Sequence, residues 1–219
     1  MKQNSSSRNE KGVDKLETLR KNPGFLALAI VLFVLIVDQI VKIYIKTNFE
    51  YGESHHILGG LLNIQFVENP GMAFGFEYGG ALGKYVLSIF RMIAITVIIV
   101  FLRKTLKKDE INLAFIVCLS LVLAGAAGNV IDSMAYGLLF DRGGGYPGIA
   151  EWGGSYAPFL QGQVVDMIQF NVHWPEFIPK LGGKLIFSPI FNIADSAISI
   201  AVLAFLFFPK RILPQETTD

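Results

Sequence analysis

Four apolar runs divide the chain, at about Gly24 to Ile45, Lys84 to Leu102, Ile111 to Ile131 and Ile190 to Phe208. Each is close to the roughly 20 residues a helix needs to cross a bilayer, so the pattern predicts four transmembrane helices. The first run is too long for a cleaved signal peptide and no small-x-small site follows it, so it is expected to stay as a span. Between the first two runs, Leu62-Asn63-Ile64-Gln65-Phe66-Val67 alternates as a short strand does and ends in a turn at Glu68-Asn69-Pro70-Gly71. A second strand is expected from Val164 to Trp174, with Ile168, Phe170, Val172 and Trp174 on one face and Gln169, Asn171 and His173 on the other. Trp174 and Phe177, among prolines, suit a membrane surface. Ser133 to Gly162, with Gly143-Gly144-Gly145 and Gly153-Gly154, reads as a mobile loop; no strand-loop-helix pattern supports a phosphate cradle.

Composition agrees with a membrane protein: 52% of the 219 residues are hydrophobic and the mean hydropathy is +0.48. One domain over 1–219 is expected, with 1–22 a flexible polar tail. The net charge of +1, with basic residues beside the apolar runs, argues for topology and against nucleic acid as a partner. The lone Cys118 rules out a disulfide framework, and His55-His56 have no ligand at metal spacing, so neither a metal nor a cofactor is expected.

Polar groups interrupt the runs, and each has a modest structural explanation. Asp38 and Lys42 are an (i, i+4) pair, Ala124 and Gly128 allow close helix approach, Asn192 and Asp195 suit a helix N-terminus, and Arg91 needs an inner face or a snorkelling path. Topology adds something more. Basic clusters precede the first run, separate the second from the third and follow the fourth, so these segments and both termini are expected in the cytoplasm. Asp38, Asn129, Asp132 and Asp195 then fall at the outer ends of their helices, and the loops holding Asn69 and Asp166 are outside too. Two neighbouring carboxylates share a proton, one acting as acid and the other as base toward a water, which is the chemistry of an aspartic peptidase. Spacing leaves open which of Asp132, Asp166 and Asp195 form such a pair. A transporter or proton channel would carry polar residues through the full depth of the bilayer, whereas Phe25 to Val34 and Ile200 to Phe208 are wholly apolar. A scaffold with polar helix glue is the other alternative.

Five motifs in order resemble the bacterial lipoprotein signal peptidases (signal peptidase II). They are Asp38-Gln39-Ile40-Val41-Lys42, Asn69-Pro70-Gly71-Met72-Ala73-Phe74, Gly125 to Asp132 with its Gly128-Asn129 core, Val164-Val165-Asp166-Met167-Ile168, and Phe191-Asn192-Ile193-Ala194-Asp195. The resemblance implies a membrane all-α fold with four transmembrane helices plus a small extracytoplasmic β-sheet. It also implies an aspartic endopeptidase that cuts prolipoprotein signal peptides before a diacylglyceryl-modified cysteine. The implied catalytic pair is Asp166 and Asp195, with supporting roles for Asp38, Lys42, Asn69, Gly71, Asn129, Asp132 and Asn192. The implied setting is the bacterial inner membrane among its lipids, with the site at the extracytoplasmic face. Inhibition by globomycin and a monomeric state are expected. Two departures stand out. Family members often have Arg directly after the Asp at 132, where this chain has Ser133, and Arg142 is a candidate replacement. The interval from Asp132 to Asp166 is longer than usual, through an apparent insertion at 140–162 that is expected to fold over the outer surface.

Overall fold

A computed structural model describes residues 22–70, 80–108, 110–143 and 145–213. Helix α1 (Pro23–Asn48) has proline in its first turn, where a missing N–H costs nothing, and ends at Phe49, which is extended. Helix α2 spans Gly80–Thr105 and closes on Arg103 and Lys104, cations that suit a helix C-terminus. The Asn112 side chain caps α3 (Leu113–Leu139) by accepting from the N–H groups of Ala114 and Phe115. All three are long and apolar enough to cross a membrane. Helix α4 (Ile193–Phe207) is apolar but has only 15 residues, and the short α5 (Pro209–Ile212) follows it.

The fourth apolar run is therefore longer than its helix. Its first residues are drawn into the sheet: the Phe191 carbonyl accepts from Met167 and Ile168, and the Phe191 N–H donates to Ile168. The helix starts only after Asn192, and Pro209 interrupts it at the other end.

Helix α3 is central, and far more of it is buried than of α1 or α2. At one end of the bundle Ala27, Leu102, Phe115, Ile116 and Ala201 form a dry core, and Phe115 meets Phe101 and Phe205 edge-on. At the other end Lys42 reaches Asp132, and Gly125 abuts Ala194. Helices α1 and α3 thus run one way, and α2 and α4 run the other. Leu28, Phe33, Ile40, Val86, Phe90, Ile93 and Val97 point away from the bundle, the expected surface of a protein solvated by lipid rather than water.

The sheet covers the polar end. Strands β1 (Ser54–Ile57), β2 (Leu62–Asn69) and β3 (Val164–Phe170) lie antiparallel in the order β1-β2-β3, with Asn69 opposite Val164 and a shift of register between Ile64 and Val67. Strand β3 is shorter than its alternation suggests. Gln169 is buried, accepting from Asn63 and donating to the Ser188 carbonyl, while Phe170 and Val172 are exposed. Phe170 instead groups with Phe187 and Phe191. The chain beyond β3 folds back on itself through Trp174 to Lys184 and Ile186 to Val172, leaving Phe177 83% exposed. An apolar strand face turned outward fits a membrane surface, as Trp174 and Phe177 suggest.

The Gly-rich stretch reads as a mobile loop in the sequence, yet its described residues are tied down. Gly153 donates to Leu139, Asp141 to Glu151, Tyr156 to Phe140, Ala157 to Gly137 and Gly162 to Ser133, so the segment packs back along the last turns of α3. Its anchor is Lys46 at the end of α1, a lysine that hydropathy alone would leave in solvent. The ammonium is buried against Glu68, donates to the Arg142 carbonyl at 3.0 Å, and lies 5.1 Å from the Phe140 ring centre and 5.0 Å from that of Tyr156.

Candidate active site

Two glycines allow the polar elements to meet. A Cβ on Gly125 would lie 2.3 Å from the Ala194 carbonyl oxygen, and one on Gly128 would lie 2.8 Å from Oδ2 of Asp38. Gly125 thus joins the Ala124 and Gly128 suggested by spacing, with Ala124 fully buried beside it. With no side chain at either glycine, the first turn of α4 sits directly on α3.

Beneath this contact lies a dry, charged layer. Lys42 Nζ is 2.9 Å from Asp38 and 2.7 Å from Asp132, and all three side chains are fully buried. The pairing within α1 is present, but it is only half of the arrangement, because the same ammonium holds a second carboxylate from α3. Asp38 also accepts from the Ala194 N–H at 2.8 Å, a first-turn donor of α4. Asp132 further accepts from Gln39 at 2.8 Å and from the Val165 N–H at 3.4 Å, which ties α3 to β3. Tyr136 donates to Gln39 at 3.1 Å.

A layer of amides sits above. Asn129 Oδ1 accepts from Lys42 at 2.9 Å and from Asn192 at 3.0 Å, while its Nδ2 donates to Asp195 at 2.7 Å. Asn192 caps α4: its Oδ1 accepts from the Asp195 N–H at 2.8 Å, and Asp195 returns a bond to the Asn192 N–H at 3.4 Å. The helix N-terminus expected for these two residues is therefore present as a capping box. Asn192 has one Nδ2 hydrogen left, and it donates that to Asp166 at 2.7 Å. Asn69, at the end of β2, donates to the other oxygen of Asp166 at 3.2 Å.

The two outer acids sit in different surroundings. Asp166 is buried at 4% exposure and Asp195 is partly exposed. Burial, with the negative charge of Asp195 as the second cause, pushes the Asp166 carboxyl up to about 7, against the pull of the two amide donors. Asp166 thus holds a proton near neutrality, and Asp195 is the more exposed of the two.

The structure brings Asp38, Lys42, Asn69, Asn129, Asp132, Asp166, Asn192 and Asp195 into one network, whereas Gly71 lies outside the described residues. Arg142 is elsewhere: its guanidinium holds Asp141 at 2.7 Å and the Pro147 carbonyl at 3.0 Å, and only its backbone oxygen reaches inward, to Lys46. It is committed within the Gly-rich segment because Asp141 is its immediate neighbour. Two participants are absent from the sequence-based set. Gln39 bridges Asp38 and Asp132, and its signal was a second polar residue beside Asp38 in an apolar run. Arg91, halfway along α2, lies within electrostatic range of Asp195, Asp132 and Asp166.

Apolar helices around a carboxylate and amide cluster at one end of the bundle define a membrane-embedded enzyme whose reactive groups are acids. Residues 30–209 match the family model described as Signal peptidase (SPase) II, and the chain belongs to that family. It is 41% identical over 214 residues to the lipoprotein signal peptidase of Porphyromonas gingivalis (strain ATCC 33277), covering 90% of this chain and 92% of that protein. It is 33% identical over 194 residues to that of Amoebophilus asiaticus (strain 5a2), covering 85% of this chain and 78% of the relative. Among solved structures, a bacterial membrane enzyme determined by the in meso method at 2.3 Å resolution superposes with a TM-score of 0.57 at 27% identity, over 89% of this chain and 93% of that one. A second, at 1.9 Å resolution, gives a TM-score of 0.53 at 29% identity, over 83% and 90%. The family consists of membrane aspartic proteases that cleave signal peptides from prolipoproteins.

Proposed function

We propose that Asp166 and Asp195 are the catalytic pair, cutting the prolipoprotein just before its diacylglyceryl-modified cysteine. Asp195 takes a proton from a water as the water oxygen adds to the scissile carbonyl, and the Asp166 proton goes to the carbonyl oxygen. Collapse of the tetrahedral species breaks the C–N bond as one of its hydroxyls returns a proton to Asp166 and re-forms the C=O, and the proton now on Asp195 passes to the leaving nitrogen. The supporting observation is the amide wiring: Asn192 and Asn129 aim N–H groups at the two carboxylates, while only one of those acids is deeply buried. Asp38, Lys42 and Asp132 position that wiring from below, and Asn69 orients Asp166 from the sheet. Gly71 follows Asn69 in the chain and shares its motif. Arg91 is the better candidate than Arg142 for the cation that family members often carry at position 133, since it lies within electrostatic range of Asp195, Asp132 and Asp166.

The setting follows from the same features. Four helices cross the inner membrane, α4 reaching the surface with the help of the Asn192 turn, and the basic loops keep both termini in the cytoplasm. The acids then face the extracytoplasmic side, where acyl chains stay in lipid while the peptide bond enters a polar cleft. One copy holds every proposed group, consistent with a monomer, and globomycin is expected to inhibit. In the direct test, purified Asp166→Asn and Asp195→Asn proteins receive a lipidated prolipoprotein in detergent. Each is expected to lose at least about a thousandfold in rate while keeping its fold; substantial residual cleavage by either refutes the pair.

A further inference from the structure

A cavity of about 420 Å³ lies between the outer end of α2 and the Gly-rich segment, walled by Lys84, Tyr85, Tyr146, Tyr156, Gln161 and Gln163. None of these belongs to the carboxylate and amide network, yet the cavity is joined to it by the chain. Gln163 stands three residues before Asp166, about 10 Å along an extended strand.

Its chemistry is specific. Gln163 Oε1 is a buried side-chain oxygen that, among the described residues, has no hydrogen-bond partner. Such an atom costs on the order of 1–3 kcal/mol if it stays unpaired, so a ligand that brings an N–H recovers that cost. Lys84, on a neighbouring wall, has three N–H donors, one of which goes to the Gln161 carbonyl. The Tyr156 hydroxyl accepts from the Gln163 backbone N–H at 2.8 Å and retains its own hydrogen to donate. An unpaired acceptor and these donors lining one space with tyrosines match an extended polypeptide, whose backbone offers N–H and C=O groups in alternation. A phosphate group would suit Lys84 but would leave Gln163 unpaired.

We infer that this cavity holds the first residues of the mature lipoprotein, those that follow the lipidated cysteine, with a substrate N–H on Gln163 Oε1 and a substrate carbonyl on Lys84. This rests on the dyad reading for its location. The apolar signal segment belongs against the lipid-facing helices, whereas this polar, tyrosine-lined space suits the chain that leaves the bilayer. About three extended residues connect the scissile bond to it, so the third and fourth residues after the cysteine are those it senses.

The test compares two lipidated substrates, one ending at the second residue after the cysteine and one extended by six more. The wild type is expected to show a KM at least about fivefold lower for the extended substrate. Gln163→Leu and Tyr146→Ala should each remove most of that difference while kcat for the extended substrate moves less than about twofold. Tyr146 is 67% exposed, so its replacement leaves the fold in place. A KM difference that persists in both variants, or one that tracks the anionic lipid content of nanodiscs equally for both substrates, overturns the inference; the latter outcome marks a lipid headgroup site. A photoreactive residue placed third after the cysteine should crosslink to Tyr146 or Tyr156 in the Asp195→Asn protein, where no turnover occurs. Crosslinks confined to other elements also overturn it. Because crosslinking needs no catalysis, failure of the dyad and failure of this subsite give separate results.

Discussion

Lys42 and the backbone N–H of Asp195 can only donate hydrogen bonds, and each is aimed at an amide oxygen, of Asn129 and Asn192 respectively. Their direction fixes both amides, so both must turn their Nδ2 groups toward carboxylates. One consequence concerns pH. Asp166, pushed up to about 7, keeps its proton in the folded state over a range where the unfolded chain, with an aspartate near 4, has lost it. The folded state therefore binds more protons between about pH 4 and 7, and this group makes stability fall as pH rises through that window, by up to the order of 4 kcal/mol, and level off above it. Melting temperatures of wild type and Asp166→Asn across pH 5 to 8 should converge at the acid end and separate above it, with the wild type losing more. Cleavage by the wild type should decline above about pH 7 as Asp166 loses the proton it is proposed to deliver. Parallel melting profiles would place that proton elsewhere.

Helix α4 shows how an element can serve two ends. Its N-terminus is an ordinary capping box, and the same two side chains reach outward to Asn129 and Asp166. The helix cap and the bonds on which the proposed catalytic role rests are therefore made by the same two side chains. What holds this terminus in register is the contact of Gly125 with Ala194. Gly125→Ala places a methyl where the backbone oxygen now sits, so α4 must move away from α3 and carry Asp195 with it. A displacement of about 1 Å can cost on the order of 100-fold in rate, and a loss of at least tenfold in kcat is expected, with a smaller change in KM. Steady-state kinetics on a lipidated substrate would show it; unchanged kcat would mean that α4 is positioned by its cap alone. The sheet teaches the reverse lesson. Alternation located β3 and sorted its residues by side, but the period-2 pattern does not say whether a side meets protein or lipid.

Across the chain as a whole, Lys46 joins α1, β2 and the Gly-rich segment through Glu68, the Arg142 carbonyl and three aromatic rings. Lys46→Met removes the ammonium against which Glu68 is buried, and breaking such a pair costs on the order of 3–5 kcal/mol. A lower melting temperature and faster proteolysis between residues 143 and 154 are expected, with partial recovery when Glu68→Gln is added. Equal proteolysis in wild type and variant would show that the segment is held by its backbone bonds to α3 alone.

Transfer of side chains between water and lipid is nearly additive along a chain, so the apolar runs, the basic clusters between them and the gathering of acids toward one end were all legible as one-dimensional patterns. The short fourth helix was legible only in part, since the pull of β3 on Phe191 is a contact between remote segments. Within the site only the local partners were legible, the Asp38–Lys42 pair and the Asn192 cap. Lys42 meets Asp132, and Asn129 meets Asp195, across gaps that only the packing of α3 against its neighbours closes. Hydrogen bonds and carboxyl protonation depend on ångströms and on the exclusion of water, and these exist only once the helices have met.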